Sequence, residues 1–234
     1  MQDTPETPGS GGTDPLAKTP PPSPTPSPYG APGGPGVGRS KGLFERARDI
    51  LTRPAAEWSV ADGESATVGS IMVPSVVALA AIPPLALLLG LTLLGGTFAS
   101  FLFGYFLQMA IAFYILSVAV AFALGFVIDA LAPTFGGTKN LVQALKLSAY
   151  SHTPLWVGGL VLLLIVMAPA LFWLWFLAGF AYGAYILYLG LPRLMRVPAD
   201  KAQAYAGAAI GVWFVLLLIA RWLSTAMVGG PFGF

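Results

Sequence analysis

Charged residues are scarce in this sequence, and three long stretches contain none at all. Asp, Glu, Lys and Arg make up 9% of the 234 residues, whereas about a quarter is usual in soluble domains. No charge occurs in Ser65–Ile128, in Leu147–Pro192 or in Ala202–Ala220. Because a charge at the centre of a bilayer costs about 2.5–3.5 kcal/mol on insertion scales, lipid selects against it. The composition excludes a soluble globular protein and indicates an integral membrane protein.

Cysteine is absent and histidine occurs once, which narrows the possible chemistry. The sequence therefore has no disulfide, thiolate metal site or cysteine nucleophile, and a single His152 does not predict a zinc site. HExxH, glycine-rich phosphate-loop and GxSxG patterns are also missing. We expect a protein that is not an enzyme and that holds no cofactor and no metal. Nothing in the charge pattern suggests binding to nucleic acid.

The first 40 residues lack the apolar side chains that a folded segment needs. They contain 11 prolines and 8 glycines, a composition that predicts a disordered tail over residues 1–40. Its acidic start, residues 1–6, has no apolar region, so we expect no cleavable signal peptide and targeting by the first span. The stretch Pro20–Pro28 favours polyproline II, either as a spacer or as the ligand of a partner domain.

An amphipathic segment follows the tail, within a juxtamembrane region over residues 41–64. Between Lys41 and Leu51, apolar residues at Leu43, Ala47 and Ile50 share one face of a helix, and charged residues occupy the other. Such a helix either rests in the lipid headgroup layer or packs against the membrane domain. Trp58 also suits the headgroup layer.

The charge-free stretches predict an all-α bundle with five spans in the membrane domain, residues 65–234. Each span follows from the ~20 helical residues that a hydrocarbon core requires. Leu147–Pro192 is too long for one helix, and Pro169 can begin the second helix of a tight hairpin. The predicted spans are about 71–94, 98–128, 153–168, 170–191 and 205–226.

Basic residues alternate between the loops in the way that such a topology requires. They occur before span one, between spans two and three, and between spans four and five, and the other loops carry none. The positive-inside rule then places the N-terminus in the cytoplasm and the C-terminus on the opposite side. Arg221 is the exception, and its side chain can extend to the interface beside Trp222. The basic residues are Lys41, Arg46, Arg48, Arg53, Lys139, Lys146, Arg193, Arg196 and Lys201.

Several segments between residues 43 and 226 carry a resemblance to a known family. They are ILTRPAAEW over 50–58, QALKLSAYSHTP over 143–154, and YG through YLGLPRLM over 182–195, followed by PADKA. The residues that carry the resemblance are Pro54, Trp58, Tyr150, Pro154, Tyr182, Gly183, Gly190 and Pro198. Together these segments resemble the Yip family, the Ypt/Rab-interacting membrane proteins and their bacterial relatives. The Asp-Leu-Tyr-Gly-Pro motif of eukaryotic members is absent, and Leu51–Pro54 is more similar to bacterial members.

This resemblance implies a non-enzymatic membrane adaptor or organiser, of a trafficking or scaffold type. It favours a bacterial inner membrane, with an endomembrane as the alternative. Membrane lipids and proteins at the cytoplasmic face would be its partners. The predicted contacts are Arg193, Arg196, Lys201, Lys139 and Lys146, which bind anionic lipid or an acidic partner, or serve topology alone.

Glycine pairs in the last two spans predict close approach between helices. Gly179 and Gly183 lie four residues apart in span four, and Gly207 and Gly211 do so in span five. Small residues at this spacing let backbones approach, either within one chain or between copies in a homo- or hetero-oligomer.

A small transporter or channel is the alternative function. Pro83-Pro84 interrupts span one, as in helices that bind a substrate at the midplane, and an ordinary kink is the other reading. The polar residues Gln108, Asp129 and His152 would then line the transport path. Of these, His152 is predicted at the inner edge of span three. A transporter predicts that these polar groups converge on a cavity, whereas an adaptor predicts a packed apolar interior.

Overall fold

The computed structural model describes residue 2 and residues 41–229, apart from the side chains of residues 71–74 and 98. Throughout that part of the chain the regular structure is helical. The proline-rich tail predicted over residues 1–40 lies outside the described residues, except for Gln2.

Two short helices precede the membrane domain. Helix α1 runs over Leu43–Thr52 and buries Ala47 and Ile50, so the amphipathic helix predicted here is confirmed. Helix α2 runs over Pro54–Gly63 and was not predicted. Its first residue is Pro54, whose fixed φ suits the start of a helix and whose missing N–H is not needed there.

Five helices are long and apolar enough to cross a membrane, which confirms the predicted all-α bundle. A short helix, α4 (Gly96–Phe101), lies between the first two. The five are α3 over Val68–Leu94, α5 over Phe103–Phe135, α6 over Leu141–Leu164, α7 over Leu171–Leu194 and α8 over Ala199–Val228.

Helix α6 begins twelve residues before the span predicted at 153–168. Asn140 caps its start, because its side-chain oxygen accepts a hydrogen bond from the Gln143 N–H at 3.2 Å. Hydropathy alone places the charge of Lys146 in the loop before this span, and therefore starts the span too late. His152 consequently lies near the middle of the 24-residue helix rather than at its inner edge.

Helix α6 forms the centre of the bundle and packs on α3, α7 and α5, while α8 packs mainly on α5. Every residue from Ala144 to Trp156 is buried. Beyond Gly158 the helix narrows to a 3₁₀ segment, Gly159–Leu164. Pro83 of α3 packs against Gly159, so the proline pair of α3 lies where α6 changes its geometry.

The bundle has two unlike ends. At the basic end lie α1, α2, the start of α6 and the end of α7, together with the loops that carry Lys139, Arg193 and Arg196. At the opposite end lie the loops 95–102 and 165–170, which contain no charged residue.

Candidate functional site at the basic end

Trp58 fixes α2 to the membrane helices. Its side chain is 1% exposed, and its indole Nε1 donates a hydrogen bond to the Ile186 carbonyl of α7 at 3.0 Å. The ring lies against Gly190, where a Cβ would collide with it, and its centroid is 5.7 Å from that of Tyr150. Trp58 is thus part of the protein interior and does not lie free in the headgroup layer, as its position in the sequence suggested.

Buried ion pairs join α1 to α2. Glu57 is 3% exposed and accepts hydrogen bonds from Lys41 Nζ at 2.6 Å and from Arg46 Nη1 at 2.7 Å. Arg46 also reaches the Glu64 carboxylate at 2.5 Å, and its guanidinium lies 5.6 Å from the centroid of the Tyr150 ring. Because each buried charge has an opposite charge within hydrogen-bond distance, the cluster avoids the cost of an unpaired ion. We call Lys41, Asp49, Arg46, Glu57 and Glu64 the ionic lock.

The charges of the ionic lock stabilise one another's ionised forms. Hydrogen bonds to Asp49 and then to Glu57 raise the pKa of Lys41. The hydrogen bond from Lys41, and then that from Arg48, lowers the pKa of Asp49. Burial opposes the charge of Arg46, but the hydrogen bond to Glu64 outweighs it and the pKa of Arg46 is raised. Lys41, Arg46 and Asp49 are therefore charged at neutral pH.

Lys146 joins α6 to the end of α2. Its side chain is 1% exposed, and Nζ donates hydrogen bonds to the backbone carbonyls of Ala61 at 2.7 Å and Glu64 at 2.8 Å. Ala61 lies in the last turn of α2 and Glu64 follows that turn, so no helical N–H is available to either carbonyl. Lys146 is one of the residues predicted to contact lipid or a partner, and the structure places it inside the protein.

The other predicted contact residues lie at the surface of the same end. Arg196 donates to the Asp62 carboxylate at 3.0 Å, and Arg193 lies 3.8 Å from it. Lys139 and Lys201 are exposed. The Thr138 N–H donates to the Met195 carbonyl at 2.9 Å, which joins the two basic loops. We call the exposed cations of this end the basic face; they are Arg48, Arg53, Lys139, Arg196 and Lys201.

The residues that carry the family resemblance are mostly structural contacts in this region. Tyr182 donates its hydroxyl to the Leu51 carbonyl at 2.7 Å, and thereby joins α7 to the end of α1. Pro54 and Tyr150 are buried, and Pro154 is buried inside α6. Pro198 precedes α8 and lies near Gly136.

The two predicted glycine pairs have different surroundings. A Cβ on Gly179 would lie 3.0 Å from the Leu155 side chain, and one on Gly183 would meet the Ser151 carbonyl and the Trp213 ring. Those two glycines lie where α7 approaches α6 and α8. A Cβ added to Gly207 or to Gly211 would have no atom of the described residues within 4 Å.

A cavity of about 480 Å³ lies in the other half of the bundle. Of the polar groups predicted to line a transport path, His152 reaches it, together with Pro83 and Pro84, whereas Gln108 and Asp129 do not. Gln108 is exposed. The polar groups therefore do not converge on the cavity, whereas a transporter predicts that they do. The cavity also means that the interior is not fully packed, whereas an adaptor predicts that it is.

His152 has both ring nitrogens occupied. Trp213 Nε1, which can only donate, gives a hydrogen bond to His152 Nε2 at 2.8 Å, so Nε2 accepts. Nδ1 then carries the proton and donates to the Ser148 carbonyl at 2.8 Å. The ring stacks on Trp156 with centroids 5.1 Å apart. This imidazole is neutral, and no nitrogen of it is available to a solute.

Sequence reasoning did not find α2, the interior position of Lys146 or the cavity. A signal for the burial of α6 was present in its small and hydroxyl residues, Ser148, Ala149, Ser151 and Thr153, which are typical of packed membrane helices. The cavity has no comparable signal, because its lining residues come from five separate segments of the chain.

Comparison with known proteins finds one matching family and relatives in bacteria. The family model of the Yip1 domain matches residues 48–221. The protein named Inner membrane protein YohC, from Escherichia coli K12, is 28% identical over 181 residues, which cover 73% of this chain and 90% of that protein. YohC of E. coli O6:H1 matches to the same extent. No solved structure matches.

The match includes the second half of α1, all of α2, and the membrane helices up to Arg221 in α8. It therefore contains Trp58, Tyr150, Tyr182 and Gly190, on which the resemblance and the packing of the basic end both depend. With five apolar helices behind the two short ones, the chain is an integral membrane protein that belongs to the Yip1 domain family.

Proposed function

We propose that this protein is a non-enzymatic membrane adaptor of the bacterial inner membrane. Its basic face lies in the cytoplasm and binds anionic lipid headgroups and acidic surfaces of partner proteins. It promotes assembly of those partners at the membrane and makes or breaks no covalent bond.

One observation carries this proposal: the interior side chains Arg46, Lys146 and His152 are committed to contacts within the chain, and the exposed cations of residues 41–229 other than Arg221 gather at one end. Lys146 binds two carbonyls, Arg46 binds two carboxylates, and His152 has both nitrogens occupied. Catalysis needs a positioned acid, base or nucleophile that can reach a substrate. Exposed cations at a membrane surface instead attract anionic partners, with about 1 kcal/mol from each Lys or Arg near an anionic bilayer.

The location and orientation rest on two further points. YohC is named as an inner membrane protein of a bacterium, which favours that membrane over an endomembrane. The basic loops and the uncharged loops lie at different ends of five apolar helices. By the positive-inside rule, the N-terminus is cytoplasmic and the C-terminus is on the other side.

A photo-crosslinking residue at position 201 tests the adaptor. Lys201 is exposed on the basic face, and Thr97, exposed in α4 at the other end, is the matched control position. We expect discrete crosslinked proteins from position 201 in native membranes and none in common from position 97. Replacing Lys139 and Arg196 by Glu should reduce those products. Products unchanged by charge reversal would contradict the proposal, and crosslinks to a second copy would indicate an oligomer.

Transport is the competing function, and liposomes test it directly. Purified protein in sealed vesicles should give no solute flux above that of empty vesicles. Flux that is lost when His152 is replaced by Ala would overturn the adaptor proposal, since His152 is the polar residue of the predicted path that reaches the cavity.

The orientation has a test of its own. Replacing both Arg193 and Arg196 by Glu removes cations from the loop between α7 and α8, so we expect part of the population to insert with that loop on the wrong side. Protease digestion of sealed inside-out vesicles measures this. Reporter tags at both ends of the chain that are accessible from the same side would contradict the five-span topology.

A further inference from the structure

The cavity is long and apolar and lies in the half of the bundle away from the basic face. Its lining follows α5 from Tyr105 to Val120, which is ~22 Å of helix at ~1.5 Å per residue. That length exceeds the ~15 Å depth of one hydrocarbon leaflet, half of a ~30 Å core. Its volume of about 480 Å³ lies within the range of about 300–1,000 Å³ that is usual for small-molecule sites.

The polar side chains at the inner end of the cavity already have partners within the protein. Trp156 Nε1 donates to Ser117 Oγ at 2.9 Å, and Trp175 Nε1 donates to the Leu155 carbonyl at 2.8 Å. His152 has both nitrogens occupied. Most of the remaining lining is aromatic or aliphatic. A polar solute would lose its hydration here without gaining hydrogen bonds, so the cavity suits a hydrocarbon chain.

The mouth of the cavity carries a cation. Arg221 is exposed and lines the cavity, and within residues 41–229 its guanidinium forms no ion pair. It lies seven residues before the end of α8 at Val228, which is ~10 Å of helix. Two exposed tryptophans flank this region, Trp173 at 63% and Trp222 at 67%, as expected at the headgroup level.

Arg221 and the cavity together suit a molecule that has an anionic group and a hydrocarbon chain. A guanidinium pairs with a phosphate through two parallel hydrogen bonds, and the aromatic lining takes an apolar tail. We propose that this cavity binds one acyl chain of an anionic phospholipid, whose phosphate pairs with Arg221. This site lies in the opposite half from the basic face, and the proposal does not depend on the adaptor function.

A photoreactive lipid distinguishes a chain inside the cavity from lipid around the protein. The full-length protein is reconstituted with phosphatidylglycerol that carries a diazirine in its acyl chain, illuminated, and mapped by mass spectrometry. We expect adducts on Leu155 and Trp156, which are 6% and 2% exposed, as well as on the outward-facing Ile111, which is 52% exposed. Adducts confined to outward-facing residues would overturn the proposal.

A variant that fills the cavity provides a second test of the proposal. Ala220 lines the cavity, and Ala226 is exposed further along the same helix. Ala220→Phe should reduce labelling of Leu155 about tenfold, as steric exclusion from a filled site requires, and should leave Ile111 labelled. Ala226→Phe should change neither. If Ala220→Phe does not fold, the adducts of the unchanged protein still test whether an acyl chain enters the cavity.

The headgroup is tested by competition between lipids. Unlabelled phosphatidylglycerol should displace the probe from Leu155 better than phosphatidylethanolamine does. Arg221→Gln should reduce that preference about fivefold, the factor for one basic residue near an anionic headgroup. Equal displacement by both lipids would refute the role of Arg221. Labelling of Leu155 that appears only after removal of residues 230–234 would show that the chain's own end occupies the site, and would overturn the proposal.

Discussion

The two halves of the bundle are built in different ways. At the basic end, two extra helices are held by buried ion pairs, by Lys146 and by Trp58, and Gly190 is in contact with the Trp58 ring. At the opposite end α6 has narrowed to a 3₁₀ segment that packs against α3, and a cavity of about 480 Å³ lies between the helices. One polar network therefore fixes the basic half, while the other half retains internal space.

Replacing the same residue type in each half should expose this difference most strongly. Trp58→Ala removes a buried indole and its hydrogen bond to Ile186, and should lower the free energy of unfolding by about 3–5 kcal/mol. Trp173→Ala removes a side chain that is 63% exposed, and should change it by less than about 0.5 kcal/mol. Chemical unfolding in detergent measures both, and equal losses would refute the comparison.

The ionic lock should give the next largest effect. Glu57→Gln removes the charge that receives hydrogen bonds from Lys41 and Arg46, and hydrogen bonds to charged groups contribute about 1.5–3 kcal/mol each. We expect a loss of about 2–3 kcal/mol and faster proteolysis after α1. Glu45→Gln, at an exposed position of α1, is the control. A Glu57 variant as stable as that control would show that the lock contributes little.

Glycine replacement should have opposite effects at Gly190 in the basic half and at Gly104 in the other half. A Cβ at Gly190 would lie 2.7 Å from Trp58 Cδ2 and 2.8 Å from Leu147 Cδ2, so Gly190→Ala should destabilise by about 1–3 kcal/mol. At Gly104 no described atom lies within 4 Å of the added carbon, and Gly104→Ala should stabilise its helix by about 0.5–1 kcal/mol. Melting temperatures in one detergent compare them. Two shifts of the same sign would contradict the packing described.

Acidification should lower the stability of the basic end, and this is the smallest of the expected effects. The hydrogen bond from Lys41, and then that from Arg48, holds the pKa of Asp49 below its ordinary value. Its contribution is present above the unfolded-state pKa and disappears as the pH falls through the lower folded-state pKa, below about pH 4. Stability should fall more with acidification in the unchanged protein than in Asp49→Asn. Parallel pH curves for the two would refute this.

The spans and the amphipathic helix could be predicted because lipid and water impose patterns that a sequence shows directly. Their partners could not, since hydropathy treats every charge as an obstacle. Lys146 was placed in the loop between the second and third predicted spans, yet it lies inside α6, because hydrogen bonds to the Ala61 and Glu64 carbonyls offset the cost of burying its charge. Trp58 looked interfacial because the contact that buries it comes from Ile186, 128 residues later.

That long separation has a consequence for synthesis. The two short helices leave the ribosome before the membrane helices, but Trp58 cannot bind the Ile186 carbonyl until 128 more residues have been added, which takes roughly 6–25 s at ~5–20 residues per second. During this interval its indole and the Asp62 carboxylate, which pairs with Arg196, have no final partner. The first segment of the domain to be made is therefore among the last to reach its native contacts.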